Sequence, residues 1–258
     1  MNRPFPITGT FKFNRVIYIW GSPLEYSLSP FFQEHALCLS GTNAVYKIFR
    51  GGKDEFLKLL RDDNCIGANI TMPFKTEAIS ICDNITEKAK KSGSVNTIFK
   101  SDGTIWGDST DGTGLVKWIA LKEKPLSEIH ILGNGGSAMA IAVSLADLGC
   151  RTTVFGRKEK GWERSFCTFC DISTWRSGIL TINTTPFEIN EPGVINIGYS
   201  FENISEDAAG MLAFQGFSSA KRWNKETIID ELKFVRIVFM HRLAQQNRYL
   251  ILKLAGIV

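Results

Sequence analysis

The chain has 258 residues, of which 44% are hydrophobic and 22% are charged, and its formal net charge is +4. This composition is typical of a globular protein with one large domain or two ordinary ones, and it excludes a disordered or fibrous chain. The basic residues form no stripe, so we expect no nucleic-acid partner. No uncharged apolar run reaches about 18 residues, which predicts that the chain does not span a membrane.

The six cysteines are scattered along the chain, at Cys38, Cys65, Cys82, Cys150, Cys167 and Cys170. The N-terminal residues lack the apolar stretch of a secretory signal, so we expect reduced thiols and a cytoplasmic location. Cys167 and Cys170 form a lone C-x-x-C, whereas a zinc or redox site needs a second pair, nearby histidines or a thioredoxin-like setting. We therefore predict no metal site, and we interpret the histidines His35, His130 and His241 as core or surface residues.

The N-terminal half alternates strand-like and helix-like segments. Runs of β-branched and aromatic residues predict strands at residues 15–21, 44–49 and 66–71. Helix-like segments separate them, at residues 31–39 and 53–60, and Pro30 fits the first turn of the former. This alternation predicts an α/β fold in which a mostly parallel sheet carries helices on its faces.

Polar clusters follow the predicted strands, at the sheet edge where ligands of α/β proteins bind. They are Ser27 with Ser29, the stretch N-I-T-M-P-F-K at 69–75, the stretch S-V-N-T at 94–97 and the stretch G-D-S-T-D-G-T-G at 107–114. We expect all of them to lie at the carboxyl ends of strands. Together they offer hydroxyls, amides, one lysine and one carboxylate, which suit a small polyhydroxylated carboxylate better than an apolar ligand.

Residues 129–158 have the layout of a strand, a phosphate-binding loop, a helix and a second strand. Gly133, Gly135 and Gly136 let the backbone turn off the strand and let a diphosphate approach the amides of the following helix. The third glycine of the G-x-G-x-x-G pattern is displaced, so an ordinary glycine-rich turn is the alternative interpretation. The surrounding layout favours a Rossmann-like dinucleotide site.

The end of the second strand indicates which dinucleotide is bound. A free ribose 2′-hydroxyl is usually held there by an acidic residue, whereas a 2′-phosphate requires positive charge. This sequence has Arg157 and Lys158 at that place, with Lys160 close behind. We therefore favour NADP over NAD, with a solvated basic turn as the alternative.

Residues 233–258 are apolar and basic, and no acidic residue follows Glu231. We predict a terminal helix that packs on the core. A helix that binds a partner or lies on a membrane surface is the alternative.

Several short motifs occur in a fixed order along the chain. They are S-L-S-P at 27–30, N-x-T-x-P-x-K at 69–75, V-N-T-I at 95–98, T-D-G-x-G at 110–114, G-x-G-G at 133–136, N-T-T-P at 183–186 and G-M-L-x-x-Q at 210–215. In order and spacing, the segment from Val16 to Leu232 resembles the shikimate dehydrogenase family. That family reduces 3-dehydroshikimate to shikimate with NADPH, in the synthesis of aromatic amino-acid precursors.

The resemblance implies roles for individual residues. Lys75 and Asp111 would be the catalytic pair, in which the lysine stabilises charge on the reacting oxygen and relays its proton while the carboxylate orients it. The residues implied in substrate binding are Ser27 and Ser29, for the carboxylate, and Asn69, Thr71, Asn96, Gln215 and Tyr199, for the ring hydroxyls. The residues implied in cofactor binding are Gly133, Asn134, Gly135, Gly136, Ser137, Gly156, Arg157 and Lys158.

The sequence departs from the family pattern mostly on the cofactor side. Asn134 and Met139 stand where the family usually has Ala and Arg, and Gly156 replaces the usual Asn. The segment between Lys158 and Ile182 is short, and the family's Asp-x-x-Tyr-x-Pro pattern is only partly kept around Tyr199.

We therefore expect an N-terminal α/β substrate domain, formed by residues 1–112 and completed by 210–258, and a Rossmann-like NADP-binding domain at 113–209. The expected protein is a cytoplasmic NADP-dependent shikimate dehydrogenase, a monomer or homodimer, whose partner is its small-molecule substrate. A relative that prefers quinate or another cofactor is one alternative. A non-catalytic homologue that binds dinucleotide or metabolite is the other.

Overall fold

The structure of the protein is a computed structural model that describes residues 14–25, 27–198, 205–224 and 230–236. Two β-sheets, one of six strands and one of five, form its framework. Helices pack on both sheets, as the predicted α/β class requires. No helix within these ranges has the length and apolar character needed to cross a membrane.

The six-stranded sheet is built from the N-terminal part of the chain, in the strand order β2-β1-β3-β5-β6-β4. Its strands are β1 (Arg15–Trp20), β2 (Ala44–Phe49), β3 (Cys65–Ile70), β4 (Asn84–Ile85), β5 (Thr97–Ser101) and β6 (Thr104–Asp108). Strand β1 pairs in parallel with β2 and β3, and β4 pairs in parallel with β6. The predicted mostly parallel sheet is confirmed, with β5 as the antiparallel exception.

The helices between these strands begin and end where local chemistry allows. They are α1 (Ser29–Leu39), α2 (Lys53–Arg61) and α3 (Glu87–Ser92). Helix α1 begins two residues before the predicted start, since Pro30 has no N–H to leave unpaired in the first turn. Helix α3 begins where the Thr86 hydroxyl accepts a hydrogen bond from the Ala89 amide, and it ends at Gly93 with φ 54°.

The five-stranded sheet has the order β11-β10-β7-β8-β9. Its strands are β7 (Glu128–Leu132), β8 (Arg151–Gly156), β9 (Thr168–Asp171), β10 (Thr181–Asn183) and β11 (Val194–Asn196), and all neighbours pair in parallel. Counted from β7 as the first strand, this is the order 3-2-1-4-5 of a Rossmann sheet. The predicted Rossmann-like fold is confirmed, and helix α5 (Gly136–Ala146) makes the first crossover.

The later crossovers of this sheet are short. Between β8 and β11, a stretch that the structure describes throughout, the chain forms two 3-10 turns, Trp162–Ser165 and Ile172–Thr174, and no α-helix. Parallel strands are usually joined through a helix that needs a dozen or more residues for the whole crossover. The segment between Lys158 and Ile182, which is short in sequence, therefore joins its strands without an α-helix.

Helices α4 (Asp111–Leu121) and α6 (Glu206–Trp223) contact the cores of both sheets. In α4, Leu115 and Ile119 pack in the core of the five-stranded sheet, whereas Trp118 packs in the core of the six-stranded one. In α6, Met211 joins the former core, and the aromatic residues Phe214, Phe217 and Trp223 fill the latter. The two sheets therefore share a pair of packed helices.

Part of the predicted C-terminal helix is described. Residues 231–236 are helical, and Phe234 and Val235 are buried in the core of the six-stranded sheet, which agrees with a helix that packs there. The remainder of the predicted helix and His241 lie outside the described residues, as does Tyr199.

Candidate active site

A cavity of about 170 Å³ lies at the edge of the six-stranded sheet where β1 and β3 end. Most of the polar residues predicted for the site line this cavity together, namely Ser29, Asn69, Thr71, Lys75, Asn96, Asp111 and Gln215. Ser137, from the first turn of α5, lines it as well. The apolar part of the wall comes from Ile19, Ile70, Ile197, Met211 and Leu212.

The polar clusters reach this edge by a different route from the predicted one. The stretch at 69–75 follows the carboxyl end of β3, and that at 107–114 follows β6. However, Asn96 precedes β5 and lies at its amino end, so the prediction that every cluster lies at a carboxyl end is wrong. Because β5 runs antiparallel to β3, its amino end meets the same edge of the sheet.

Lys75 and Asp111 form an ion pair inside the cavity. The lysine Nζ lies 2.5 Å from Asp111 Oδ2, and the two side chains are 20% and 10% exposed. Asp111 is the first residue of α4, where the positive end of the helix dipole favours a carboxylate. A side chain on the next residue, Gly112, would collide with the backbone of Ala140 at 2.2 Å, so the glycine lets α4 and α5 approach closely.

Asn96 holds the carboxylate of this pair. Its Nδ2 donates to Asp111 Oδ1 over 2.7 Å and to Thr110 Oγ1 over 3.0 Å. Its Oδ1 accepts from the Thr110 amide over 2.8 Å. Both hydrogens of the Asn96 amide are therefore used inside the protein, and its role in this geometry is to orient Asp111.

Asn69 is likewise satisfied from inside the fold. Its Oδ1 accepts from the hydroxyl of Tyr46 over 2.8 Å, and its Nδ2 donates to the Asn96 carbonyl over 3.2 Å and to Ser219 Oγ over 3.3 Å. The amide lines the cavity with no hydrogen left to donate to a ligand, although its oxygen keeps one lone pair. Its predicted contact with a ring hydroxyl is limited to accepting a hydrogen bond.

Ser219 connects these groups, and the sequence analysis missed it. Its Oγ is fully buried and lies 2.7 Å from Thr97 Oγ1 and 3.3 Å from Thr110 Oγ1. It also accepts from Gln215 Nε2 over 3.2 Å. The available signal was its position four residues after Gln215, which places both side chains on one face of α6.

The predicted carboxylate-binding serines lie side by side at the start of α1. Ser29 lines the cavity, and its amide donates to Ser27 Oγ over 3.3 Å. Within the part of the chain that the structure describes, Ser27 itself lies beside the cavity wall and not in it. The Ser29 hydroxyl can donate to an anion at this end of the cavity, and Ser27 is its neighbour outside the wall.

The glycine-rich loop adopts the geometry that its sequence predicts. Gly133 has φ 93°, and a side chain on it would lie 2.5 Å from Thr184 Oγ1. Gly135 and Gly136 face open space, and no side chain caps the amides at the start of α5. This backbone therefore presents free N–H groups to an anion such as a diphosphate. Ser137 in the same turn borders the cavity of Lys75 and Asp111.

Arg157 and Lys158 lie after β8, and both residues are exposed. The side chain of Asn134, from the glycine-rich loop, reaches the same turn and donates to the Lys158 carbonyl and to Glu163 Oε1, each over 2.8 Å. Glu163 is fully buried, and no motif in the sequence marked it. The glycine-rich loop and the basic turn are thus joined through a side chain.

Two of the thiols lie in surroundings that disfavour the thiolate. Burial raises the pKa of the Cys82 thiol to about 12, and burial likewise raises that of Cys167 to about 12, so both stay protonated near neutrality. In the described ranges no three His, Cys, Asp or Glu side chains are grouped as a metal site requires.

Comparison with known proteins connects this geometry to a family. The family model for the shikimate dehydrogenase substrate binding domain matches residues 19–98. The chain is 32% identical over 191 residues to the shikimate dehydrogenase (NADP(+)) of Helicobacter pylori, which covers 69% of this chain and 70% of that protein. It is 36% identical over 143 residues to that of Gluconobacter oxydans, which covers 54% of this chain and 51% of the relative. The chain therefore spans about half the length of several curated relatives that it matches.

Solved structures share the fold at lower sequence identity. The shikimate 5-dehydrogenase of Thermus thermophilus, in complex with NADP(H) and shikimate, aligns with a TM-score of 0.75 at 22% identity and covers 87% of this chain and 98% of that one. The shikimate 5-dehydrogenase of Listeria monocytogenes, in complex with shikimate and NAD, aligns with a TM-score of 0.74 at 22% identity and covers 90% and 99%. Such likeness shows that the two-sheet architecture is common to these proteins.

Proposed function

The chain belongs to the shikimate dehydrogenase family, and from this premise we propose that it catalyses the reversible reduction of 3-dehydroshikimate to shikimate with NADPH. The observation that carries the proposal is the Lys75–Asp111 ion pair, in a cavity bordered by Ser137 of the glycine-rich loop. A proton-relaying pair and a dinucleotide-type loop meet there at one cavity, as hydride transfer to a ketone requires.

A dinucleotide held by the glycine-rich loop would supply the hydride for the ketone carbon. Negative charge develops on the ketone oxygen, and the Lys75 ammonium stabilises that charge and donates the proton. Asp111 holds the ammonium at 2.5 Å and is itself held by Asn96. In the reverse direction Lys75 removes the hydroxyl proton, so one pair serves both directions.

The proposed roles of the other residues follow from what each still has to offer. Ser27 and Ser29 donate to the substrate carboxylate, and Thr71 and Gln215 bind ring hydroxyls, with Tyr199 as a further candidate. The open amides of Gly135 and Gly136 suit a diphosphate, and the cations of Arg157 and Lys158 suit a 2′-phosphate. We assign the substrate domain to residues 1–112 with 210–258 and the NADP-binding domain to 113–209.

The first test is the initial rate of NADP reduction by purified protein with shikimate, run beside NAD and beside quinate. Turnover with shikimate and NADP supports the proposal, and faster turnover with quinate or NAD shifts it to the corresponding relative. The helix-free crossovers after β8 favour a second candidate, a non-catalytic homologue that binds the same ligands. A folded protein that binds shikimate without any turnover would establish that candidate instead.

A further inference from the structure

The two loops of the proposed cofactor site are joined by a side-chain contact, which we call the loop bridge. It consists of Asn134, whose Nδ2 donates both hydrogens, and its two acceptors, the Lys158 carbonyl and Glu163 Oε1, each 2.8 Å away. The Glu163 carboxylate also accepts from the amide of Lys160, over 3.1 Å to Oε2. The loop bridge therefore fixes the backbone of the basic turn at two residues, Lys158 and Lys160.

Gly156 makes room for the loop bridge. A side chain on this residue would lie 2.9 Å from Asn134 Cγ, so only glycine lets the Asn134 amide lie over the end of β8. The unusual residues Asn134 and Gly156 therefore belong to one structural feature. The asparagine comes from the glycine-rich loop, and the glycine at the end of β8 leaves space for its side chain.

The carboxylate of Glu163 is buried, and burying a charged group costs free energy. The residue is 0% exposed, and removing a carboxylate from water is unfavourable unless hydrogen bonds or cations compensate it. Its compensation comes from Asn134 and the Lys160 amide, both of which belong to the cofactor loops. The hydrogen bonds that compensate the buried carboxylate therefore also hold the two loops together.

The cations of the basic turn are left free for an anion. In the part of the chain that the structure describes, no carboxylate forms an ion pair with Arg157, Lys158 or Lys160. The acidic residue of the same turn, Glu159, pairs instead with Arg164, with Oε2 lying 2.8 Å from Nη2. The turn therefore offers three unpaired cations on a backbone that the loop bridge holds in place.

We propose that Asn134 and Glu163 are specificity-determining residues, which act by positioning the turn at 157–160 so that its cations meet the 2′-phosphate of NADP. This inference rests on the proposed function, because it assigns the basic turn to the adenosine end of the dinucleotide. Neither residue is catalytic. Their effect is on the discrimination between a ribose 2′-phosphate and a free 2′-hydroxyl.

The test compares the dissociation constants of NADP and NAD for the whole chain and for the variants Asn134→Ala and Glu163→Gln, by calorimetry. Without the bridging hydrogen bonds, we expect the preference for NADP over NAD to fall about tenfold in Asn134→Ala, with NAD binding nearly unchanged. Glu163→Gln, which replaces one of the two acceptor oxygens by an NH2 donor and removes the charge, should lose preference in the same direction. Glu191→Gln removes a charge from an exposed turn of the same sheet and serves as the control, with no change expected.

Two outcomes for the variants would overturn the inference. Equal losses for both dinucleotides would mean that the bridge only shapes the diphosphate loop. A gain in NADP preference in Glu163→Gln would mean that its charge opposes the phosphate. Because binding is measured directly, a wild-type protein that binds NADP without turning over shikimate would refute the proposed function and leave this inference standing, whereas equal affinity for NADP and NAD in the wild type would refute the inference alone.

Discussion

The cavity of Lys75 and Asp111 and the loops proposed to bind the dinucleotide are built in opposite ways. Around the cavity, buried amides and hydroxyls such as those of Asn69, Asn96 and Ser219 are bonded to one another. At the loops, Gly135 and Gly136 present backbone amides to open space, and the described crossovers between β8 and β11 contain no α-helix. Recognition by side chains requires each atom in place, whereas recognition by backbone tolerates change around it. This difference accounts for the closer match to the family pattern on the substrate side.

The largest expected effect is on the catalytic pair. Lys75→Ala should lower kcat by about a thousandfold, the scale of a general acid, with the fold retained because the side chain is partly exposed. Steady-state rates with shikimate and NADP measure it, and circular dichroism checks the fold. Lys53→Ala, which removes a surface lysine bonded to Ser80, is the matched control. Near-normal activity of Lys75→Ala would sink the proposed mechanism.

The second effect tests the network behind the cavity. Ser219→Ala removes the hydroxyl that Gln215 and Asn69 share, so we expect the KM for shikimate to rise about tenfold and the KM for NADP to stay unchanged. Ser218→Ala is the neighbouring control, because the Ser218 hydroxyl donates only to the Phe214 carbonyl of its own helix. An equal rise in both KM values would show that Ser219 only stabilises the fold.

The third effect belongs to the dinucleotide side. Arg157→Ala should weaken NADP binding about tenfold and leave NAD binding unchanged, because only the 2′-phosphate needs the cation. Arg151→Ala, at the start of the same strand, is the control. Dissociation constants for both dinucleotides decide the matter. Equal losses for NAD and NADP would remove Arg157 from the phosphate site.

The smallest expected effect is a pH dependence of stability that comes from the five-stranded sheet. Burial lowers the pKa of His130, in β7, below its ordinary value of 6.5, although Glu128 opposes the shift. The unfolded chain then binds the proton more readily than the folded one, so stability falls as pH drops below about 6.5 and is fully present above it. His130→Phe should flatten this slope in urea unfolding followed between pH 5 and about 8. An unchanged slope would assign the acid sensitivity to other groups.

The sequence predicted three of the six strands of the first sheet, β1, β2 and β3, to within one residue at each end, since β-branched runs and their turn residues are local signals. It predicted the meeting of Lys75 and Asp111 through motif resemblance, because their contact depends on the whole sheet. Asn96 lies at an amino end because β5 runs antiparallel to β3, and no local pattern in the sequence predicts the direction of that strand.

The residues that the sequence analysis missed have partners far along the chain. Tyr46 and Ser219 are unremarkable in their own segments. Tyr46 acquires a role through Asn69 of β3, and Ser219 acquires one when α6 packs against β3. The loop bridge was visible as two departures, Asn134 and Gly156, but nothing local connects them to Glu163. Such contacts join side chains that are far apart in the sequence, and no hydrophobic periodicity predicts them.

Helix α6 completes a core to which residues from the N-terminal part of the chain, among them Ile17, Phe32 and Phe99, contribute. Its Trp223 donates to the Ile98 carbonyl, and Arg222 holds Asp108, while the strands they meet are translated first. A ribosome that adds about 5–20 residues per second needs on the order of ten seconds to pass from β6 to the end of α6. During that interval the nascent first sheet exposes the apolar surface that α6 later covers. During biosynthesis the second sheet can therefore form before the first one is complete.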